Sequence, residues 1–402
     1  MGLDLSTLSK QIREMSHAAA GAAAATASRA AALRAHYLEA DGNEAHWAQA
    51  VDLSRPTAQW LLARPIEPLG TVRDLPPPPA AYALVATDGS QIDLDRHGSV
   101  SCYLLNIGQV FLRYGHQPTA RLTSQPTLYY REEDLYLREG SRRVAIEGGY
   151  LSARRDVEEG VALAELADEY LTDDLPALAL QDGTLIRWAL AGAERFVQDF
   201  FLEPYLGYLE QLRRRAIPVA SYISRPRSPE VVGMIRLMLC PDVDVAAGQG
   251  AVCAECSDIG AGREASCMVC QGLVDADILG AGLAEGQRGP IFCSMSRINL
   301  ERYGHHLIHF FYLRVARELC RIEIPQWVAR EPDLVDQVHT LVYDQSVRGD
   351  GYPVALARAH EQAVVRSADR RAFLRILEGS LYRAEAPASS SAKQASKQFP
   401  RS

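Results

Sequence analysis

Apolar positions along the chain follow different rules in different stretches. Over residues 3 to 39, Leu5, Leu8, Ile12 and Met15 stand at helical spacing, and an Ala-rich run continues the pattern to Leu38. That spacing predicts one long helix, because alanine has the smallest conformational cost of any residue in a helix. Pro76 to Pro79 then punctuate the chain, since a proline run continues neither a helix nor a central strand. From Ala81 to about Leu374, short apolar runs alternate with helical stretches, which is the pattern of an α/β domain. Past residue 385 the chain is mostly Ala, Ser, Lys and Gln, with too little to bury for a fold, so a disordered tail is expected. The expected organisation is a helical extension over 1–75, a main domain over 80–380 and a tail over 385–402.

Within the main domain, two segments share one design. Tyr82-Ala-Leu-Val-Ala-Thr87 leads into Asp88-Gly89-Ser90, and Pro176-Ala-Leu-Ala-Leu-Gln181 leads into Asp182-Gly183-Thr184. Each reads as a buried strand ending in an acid, and open α/β sheets place their sites at the carboxyl ends of strands. An Asp-Gly pair is also an ordinary turn dipeptide; the repetition of the whole unit points beyond that. If the strands are neighbours, the carboxylates repel each other unless a cation neutralises them. Hard divalent ions such as Mg²⁺ or Mn²⁺ suit such oxygen ligands. Two of them ~3.5–4 Å apart can activate water and stabilise the leaving oxygen of a phosphodiester.

A net charge of −8 over 402 residues argues against a protein that coats nucleic acid, because phosphate binding is dominated by basic surface. It leaves a nuclease open, since an acidic metal cluster can lie in a locally basic groove. No apolar run approaches the ~20 residues of a membrane-spanning helix, and the N-terminus lacks the pattern of a secretory signal, so a cytoplasmic location is expected. Cys253-Ala-Glu-Cys256 and Cys267-Met-Val-Cys270 form a pair of CxxC motifs in an insert over 250–272. Four such thiolates can close a structural Zn²⁺ site; an iron–sulfur cluster or a redox pair remains an alternative. Cys102, Cys240, Cys293 and Cys320 lack that spacing and read as apolar filler. His305, His306 and His309 lie in an aromatic strand-like run, where structural roles are the default.

The C-terminal third carries the most specific pattern. Gly351-Tyr352-Pro353-Val-Ala-Leu-Ala-Arg-Ala-His360-Glu-Gln-Ala363, the preceding Arg321-Ile-Glu323-Ile-Pro325-Gln-Trp327, and the central Pro218-Val-Ala-Ser-Tyr222-Ile-Ser-Arg225-Pro-Arg227-Ser resemble, in this order, motifs of the NurA nucleases. The resemblance covers roughly residues 80 to 375. It implies an α/β, RNase H-like mixed sheet flanked by helices, Mn²⁺-dependent cleavage of single- and double-stranded DNA with 5′ to 3′ polarity, and a homodimer that docks on a hexameric HerA-type ATPase. The Cys-rich insert departs from the family core.

Carried over residue by residue, Asp88 and Asp182 match the metal-binding acids, and Tyr352 and His360 match the Tyr and His of the closing motif. His360 would lie two turns into a helix, able to ligate metal or shuttle a proton, with the Tyr352 hydroxyl holding a phosphate or water. A helix from about Ala153 to Leu171 is expected to supply a third acid. The family pattern points to Glu165, with Glu158 and Glu159 as competitors. Arg225, Arg227 and Arg297 are candidate phosphate contacts, while Glu323 and Trp327 read as packing and orienting residues. A non-catalytic DNA-binding or ATPase-regulating subunit on the same fold is the alternative from another class.

Overall fold

The computed structural model describes residues 4–93, 100–172, 174–316 and 318–384. The expected tail over 385–402 lies outside the described residues. The chain divides into two compact units: one takes the stretch up to Leu75 with Ile223–Leu300 and Leu307–Glu323, the other Pro76–Tyr222, Glu301–His306 and the chain from Ile324 onward. The N-terminal 75 residues are therefore not a separate extension. They share a core with segments some 200 residues further on, which local periodicity has no means of revealing.

In the first unit a helix spans Leu5–Glu39, started by the Asp4 carboxylate accepting from the Ser6 and Thr7 amides, an N-cap that satisfies two otherwise unpaired donors. Its early turns are exposed, and it buries Ala30, Leu33 and Tyr37 near its end. These residues pack with Val51, Leu62, Val231, Ile235, Phe292, Phe310 and Tyr312 in one apolar core. Short strands at Ala63–Pro65, Phe292–Ser294, Ile308–Val315 and Glu318–Pro325 follow one another in that order across the sheet. An ion cluster is buried among them: the Arg321 guanidinium donates to Glu230 at 2.5 Å and Glu323 at 2.9 Å, and lies 3.6 Å from the centre of the Phe310 ring.

The second unit is built on five strands: β1 (Tyr82–Ile92), β2 (Tyr103–Tyr114), β3 (Thr119–Tyr129), β4 (Ala177–Asp182) and β5 (Val219–Ile223). Their order across the sheet is β3-β2-β1-β4-β5. The first three are antiparallel, joined consecutively, whereas β4 and β5 run parallel to β1. This is a mixed α/β sheet. Helix α1 (Gly149–Tyr170) leads from β3 to β4, α2 (Arg195–Arg214) from β4 to β5, and α3 (Pro332–Arg348) and α4 (Val354–Ala363) close the unit.

Alternation along β1 decides which helix meets which side chain, since successive strand residues face opposite ways. Thr87 donates its hydroxyl to the Glu159 carbonyl on α1 at 2.9 Å, and a Cβ on Gly89 would strike Glu159 and Arg155. Ser90 bonds the Ala363 carbonyl of α4 at 2.5 Å. Thr87 and Gly89 thus face α1, while Asp88 and Ser90 face α4. The sequence places Asp88 at the end of its strand; in the structure β1 runs four residues further, to Ile92, because Gly89–Ile92 stay paired with Leu104–Ile107 of β2.

Candidate active site

Asp88 and Asp182 meet because their strands are adjacent and in register. Parallel pairing sets Thr87 against Gln181, which brings the next residue on each strand, Asp88 and Asp182, side by side. The Asp182 carboxyl is shifted above the ordinary range chiefly by burial, and the negative charge of Asp88 adds to the shift. The Tyr352 hydroxyl donates to Asp182 and opposes that shift. Burial, followed by the charge of Asp182, raises the Tyr352 phenol well above its usual range, so it stays a donor at neutral pH. Its ring is seated edge-on against Tyr222, with centroids 5.4 Å apart, and Tyr222 is the β5 partner of Asp182.

His360 arrives from α4. Its Nδ1 lies 2.7 Å from Asp88 Oδ2, and the other Asp88 oxygen accepts the Gly89 amide at 2.8 Å. A glycine makes this approach available. Gly108 is paired with Asp88 on β2, and a Cβ there would sit 2.2 Å from the Ala359 carbonyl oxygen and 2.5 Å from the Ala363 nitrogen. The backbone of α4 therefore rests on bare strand beside the first acid, and His360 overhangs it. Pro353 immediately precedes the helix, which puts His360 two turns in and Tyr352 at the entrance, as the sequence predicts.

Of the three candidate glutamates of α1, it is Glu159, one of the two competitors of Glu165, that lies against Gly89 and feels the charge of Asp88. Glu159 is buried and lies against Gly89, on the α1 side of the sheet. Burial, then the neighbouring Asp156 charge, pushes its carboxyl up to about 8, with Arg155 pulling the other way and Asp88 adding to the rise. Arg155 Nε holds Glu159 Oε1 at 3.1 Å, and Arg187 holds Asp156 at 2.7 Å behind it. Glu165 is on an exposed face of α1. Six residues on a helix correspond to about 600° of rotation, so the two glutamates cannot share a face. Glu158 pairs instead with Arg154 at 2.7 Å. Arg155, Arg187 and Gly108 were not singled out from sequence. Of the three, Gly108 alone carries a local signal, a glycine in a strand interior.

The candidate phosphate contacts and the CxxC cysteines lie in the first unit. Arg225 is exposed, 3.5 Å from Glu318, in a left-handed backbone conformation with φ 45°; Arg227 and Arg297 are also exposed. The four CxxC cysteines differ in exposure. Cys270 is buried in the apolar core beside Leu273 and Ile278, whereas Cys253, Cys256 and Cys267 are only half-buried. The charges of Cys253 and Cys256 act on the Cys267 thiol, and that of Cys267 acts on Cys270. Cys240 belongs to the same neighbourhood, since the charges of Cys267 and Cys256 act on its thiol. Glu323 is a partner of Arg321, while Trp327 is half-buried in the second unit.

The second unit thus carries an acid pair on adjacent parallel strands, overhung by an imidazole and a phenol. The NurA domain matches residues 82–365, and the chain belongs to the NurA family, whose nuclease-associated role lies in DNA processing. No curated protein matches the chain.

Proposed function

We propose that this chain is a divalent-metal-dependent deoxyribonuclease on an RNase H-like fold. What carries the reading is the pairing of Asp88 with Asp182 under His360 and Tyr352. The strand order supports the fold assignment, because three consecutive antiparallel strands are followed by two that run parallel to the first.

The residues suit a hard divalent ion. Asp182 and Glu159 both have carboxyls pushed upward by burial and by neighbouring acids, an excess of negative charge that a cation relieves. Asp88, Asp182 and Glu159 would hold Mn²⁺ or Mg²⁺, which when bound supplies charge neutralisation at the phosphate and a more acidic water. The chain's own groups do the rest. With Asp88 accepting from Nδ1–H, His360 keeps a lone pair on Nε2 and is placed to take a proton from the attacking water. Tyr352 keeps Asp182 oriented, and its apolar seat on Tyr222 keeps that donor fixed. Arg155 holds Glu159 in place, neutralising part of its charge.

On this reading the chain acts as a homodimer with a HerA-type hexameric ATPase, resecting DNA ends in the 5′ to 3′ direction, in the cytoplasm; family membership supports these further points. The test is cleavage of linear single- and double-stranded DNA with Mn²⁺ by the wild type, Asp88→Asn and Asp182→Asn. Loss of cleavage in both variants, with folding retained, supports the reading. Undiminished cleavage by both would overturn it, and a wild type inert with every divalent ion would favour a non-catalytic subunit.

A further inference from the structure

Glu210, His305 and His306 form a cluster that the proposed chemistry does not use. Glu210 lies near the end of α2, and the two histidines make up most of the short turn Gly304–His306. His305 Nε2 is 2.9 Å and His306 Nε2 3.4 Å from the same Glu210 oxygen, Oε2. Among the described residues, this is the set whose ligand atoms all lie within 4.8 Å of one another. His306 is 3% exposed, so its ring is locked by packing with Nε2 already facing the carboxylate.

We infer that Glu210, His305 and His306 bind a transition-metal ion of the Zn²⁺ class, fastening the Gly304–His306 turn to α2. Two imidazoles and one carboxylate are a ligand set suited to zinc, whereas Mn²⁺ and Mg²⁺ favour oxygen. The spacing fits as well. Ligands about 2.0–2.1 Å from a tetrahedral ion stand roughly 3.3–3.4 Å apart, close to the separations seen here. His305 also lines an open cleft of about 340 Å³ with Arg213, Gln326, Trp327, Arg330 and Glu331, so water can complete the coordination.

Arg213 and Arg214 compete for the carboxylate. Arg213 donates to both oxygens at 2.7 Å, and Arg214 to Oε1 at 2.9 Å. Oε2, the oxygen nearest both histidines, takes one of these arginine bonds and Oε1 the other two, and the arginines orient the carboxylate in the way outer partners commonly orient metal ligands. Their charge weakens the site without filling it. The ion bridges two segments far apart in the chain, and its binding free energy adds to folding, as linkage requires.

The test uses the full chain stripped of metal and titrated with Zn²⁺ and Co²⁺, comparing wild type with His305→Ala and Glu210→Gln. His305 is largely exposed (63%), so its removal leaves the packing intact. We expect the bound metal to fall by one equivalent per chain in His305→Ala, and Zn²⁺ to raise the unfolding temperature of the wild type but not of that variant. The Co²⁺ difference spectrum between the two should lack thiolate charge transfer, which separates this site from the cysteine-rich segment. Equal stoichiometry and equal Zn²⁺ stabilisation in wild type and both variants would overturn the inference, as would a difference spectrum dominated by sulfur. Mn²⁺-dependent DNA cleavage is read separately and does not depend on this ion.

Discussion

Gly108 stands directly opposite Asp88 on the neighbouring antiparallel strand, and the backbone of the helix that carries His360 lies against it. A methyl group at this position would meet a main-chain carbonyl and a main-chain nitrogen, neither of which can swing aside as a side chain does. Gly108→Ala should therefore lift α4, cost on the order of 1–3 kcal/mol through overpacking, and abolish most cleavage by moving His360 off Asp88. Urea unfolding and a Mn²⁺-dependent cleavage assay check the two halves. A variant with wild-type stability and activity would show that the helix does not rest there.

Glu159 and Glu165 separate the geometry from the family-pattern assignment. Glu159→Gln removes a buried carboxylate beside Asp88, and cleavage should fall by at least tenfold. Glu165→Gln changes an exposed residue and should stay within about 0.5 kcal/mol of wild type in stability, with unchanged cleavage. Steady-state rates of the two variants, measured side by side, decide the assignment; the reverse ranking would restore Glu165.

His360 is 68% exposed, so its replacement leaves the core untouched. His360→Ala should lose roughly 10²–10⁴-fold in rate, the usual contribution of a positioned acid or base, while the unfolding midpoint hardly moves. A rate within a factor of three of wild type would remove His360 from the proton path.

Asp275 gives a pH dependence remote in sequence from the acids. Burial pushes its carboxyl from 3.8 up to about 7, against the pull of the Val232 amide and the Tyr312 hydroxyl, which donate to it at 2.9 and 2.8 Å. Its folded pKa stands above the unfolded one, so folding favours the protonated form. That contribution is whole below about 3.8 and is lost as pH rises through about 7. Stability should decline from pH 4 to pH 7, and Asp275→Asn should flatten the decline. Urea midpoints across this range read the difference; an unchanged slope would mean that Asp275 ionises freely in the fold.

Arg321 pairs with both Glu230 and Glu323, and all three are almost fully buried. Arg321→Ala removes the guanidinium that both buried carboxylates share, at a cost of about 3–5 kcal/mol. Arg321→Met with Glu230→Gln should recover part of that loss, because replacing a buried ion pair is far cheaper than breaking one. Denaturant unfolding of the single and double variants tests this, and a single variant less than 1 kcal/mol below wild type would show that water reaches the cluster.

Much of the second unit was legible in the chain. The apolar runs before Asp88 and Asp182 became β1 and β4, and Pro353 set Tyr352 and His360 at the start and second turn of one helix. Such features follow from local rules of strand burial, proline geometry and helical spacing, which any window of a dozen residues contains. Which glutamate of the helix lies against β1 was not legible that way. Glu158, Glu159 and Glu165 share one helix and one chemistry, and only the packing of that helix over Gly89 selects Glu159. The pairing of the first 75 residues with segments beyond 223, and the meeting of Glu210 with His305 and His306, likewise depend on contacts across long stretches of chain. Sequence determined which groups were chemically able to act; tertiary packing decided which of them touch, because proximity between distant segments is a property of the folded chain and leaves no local periodicity behind.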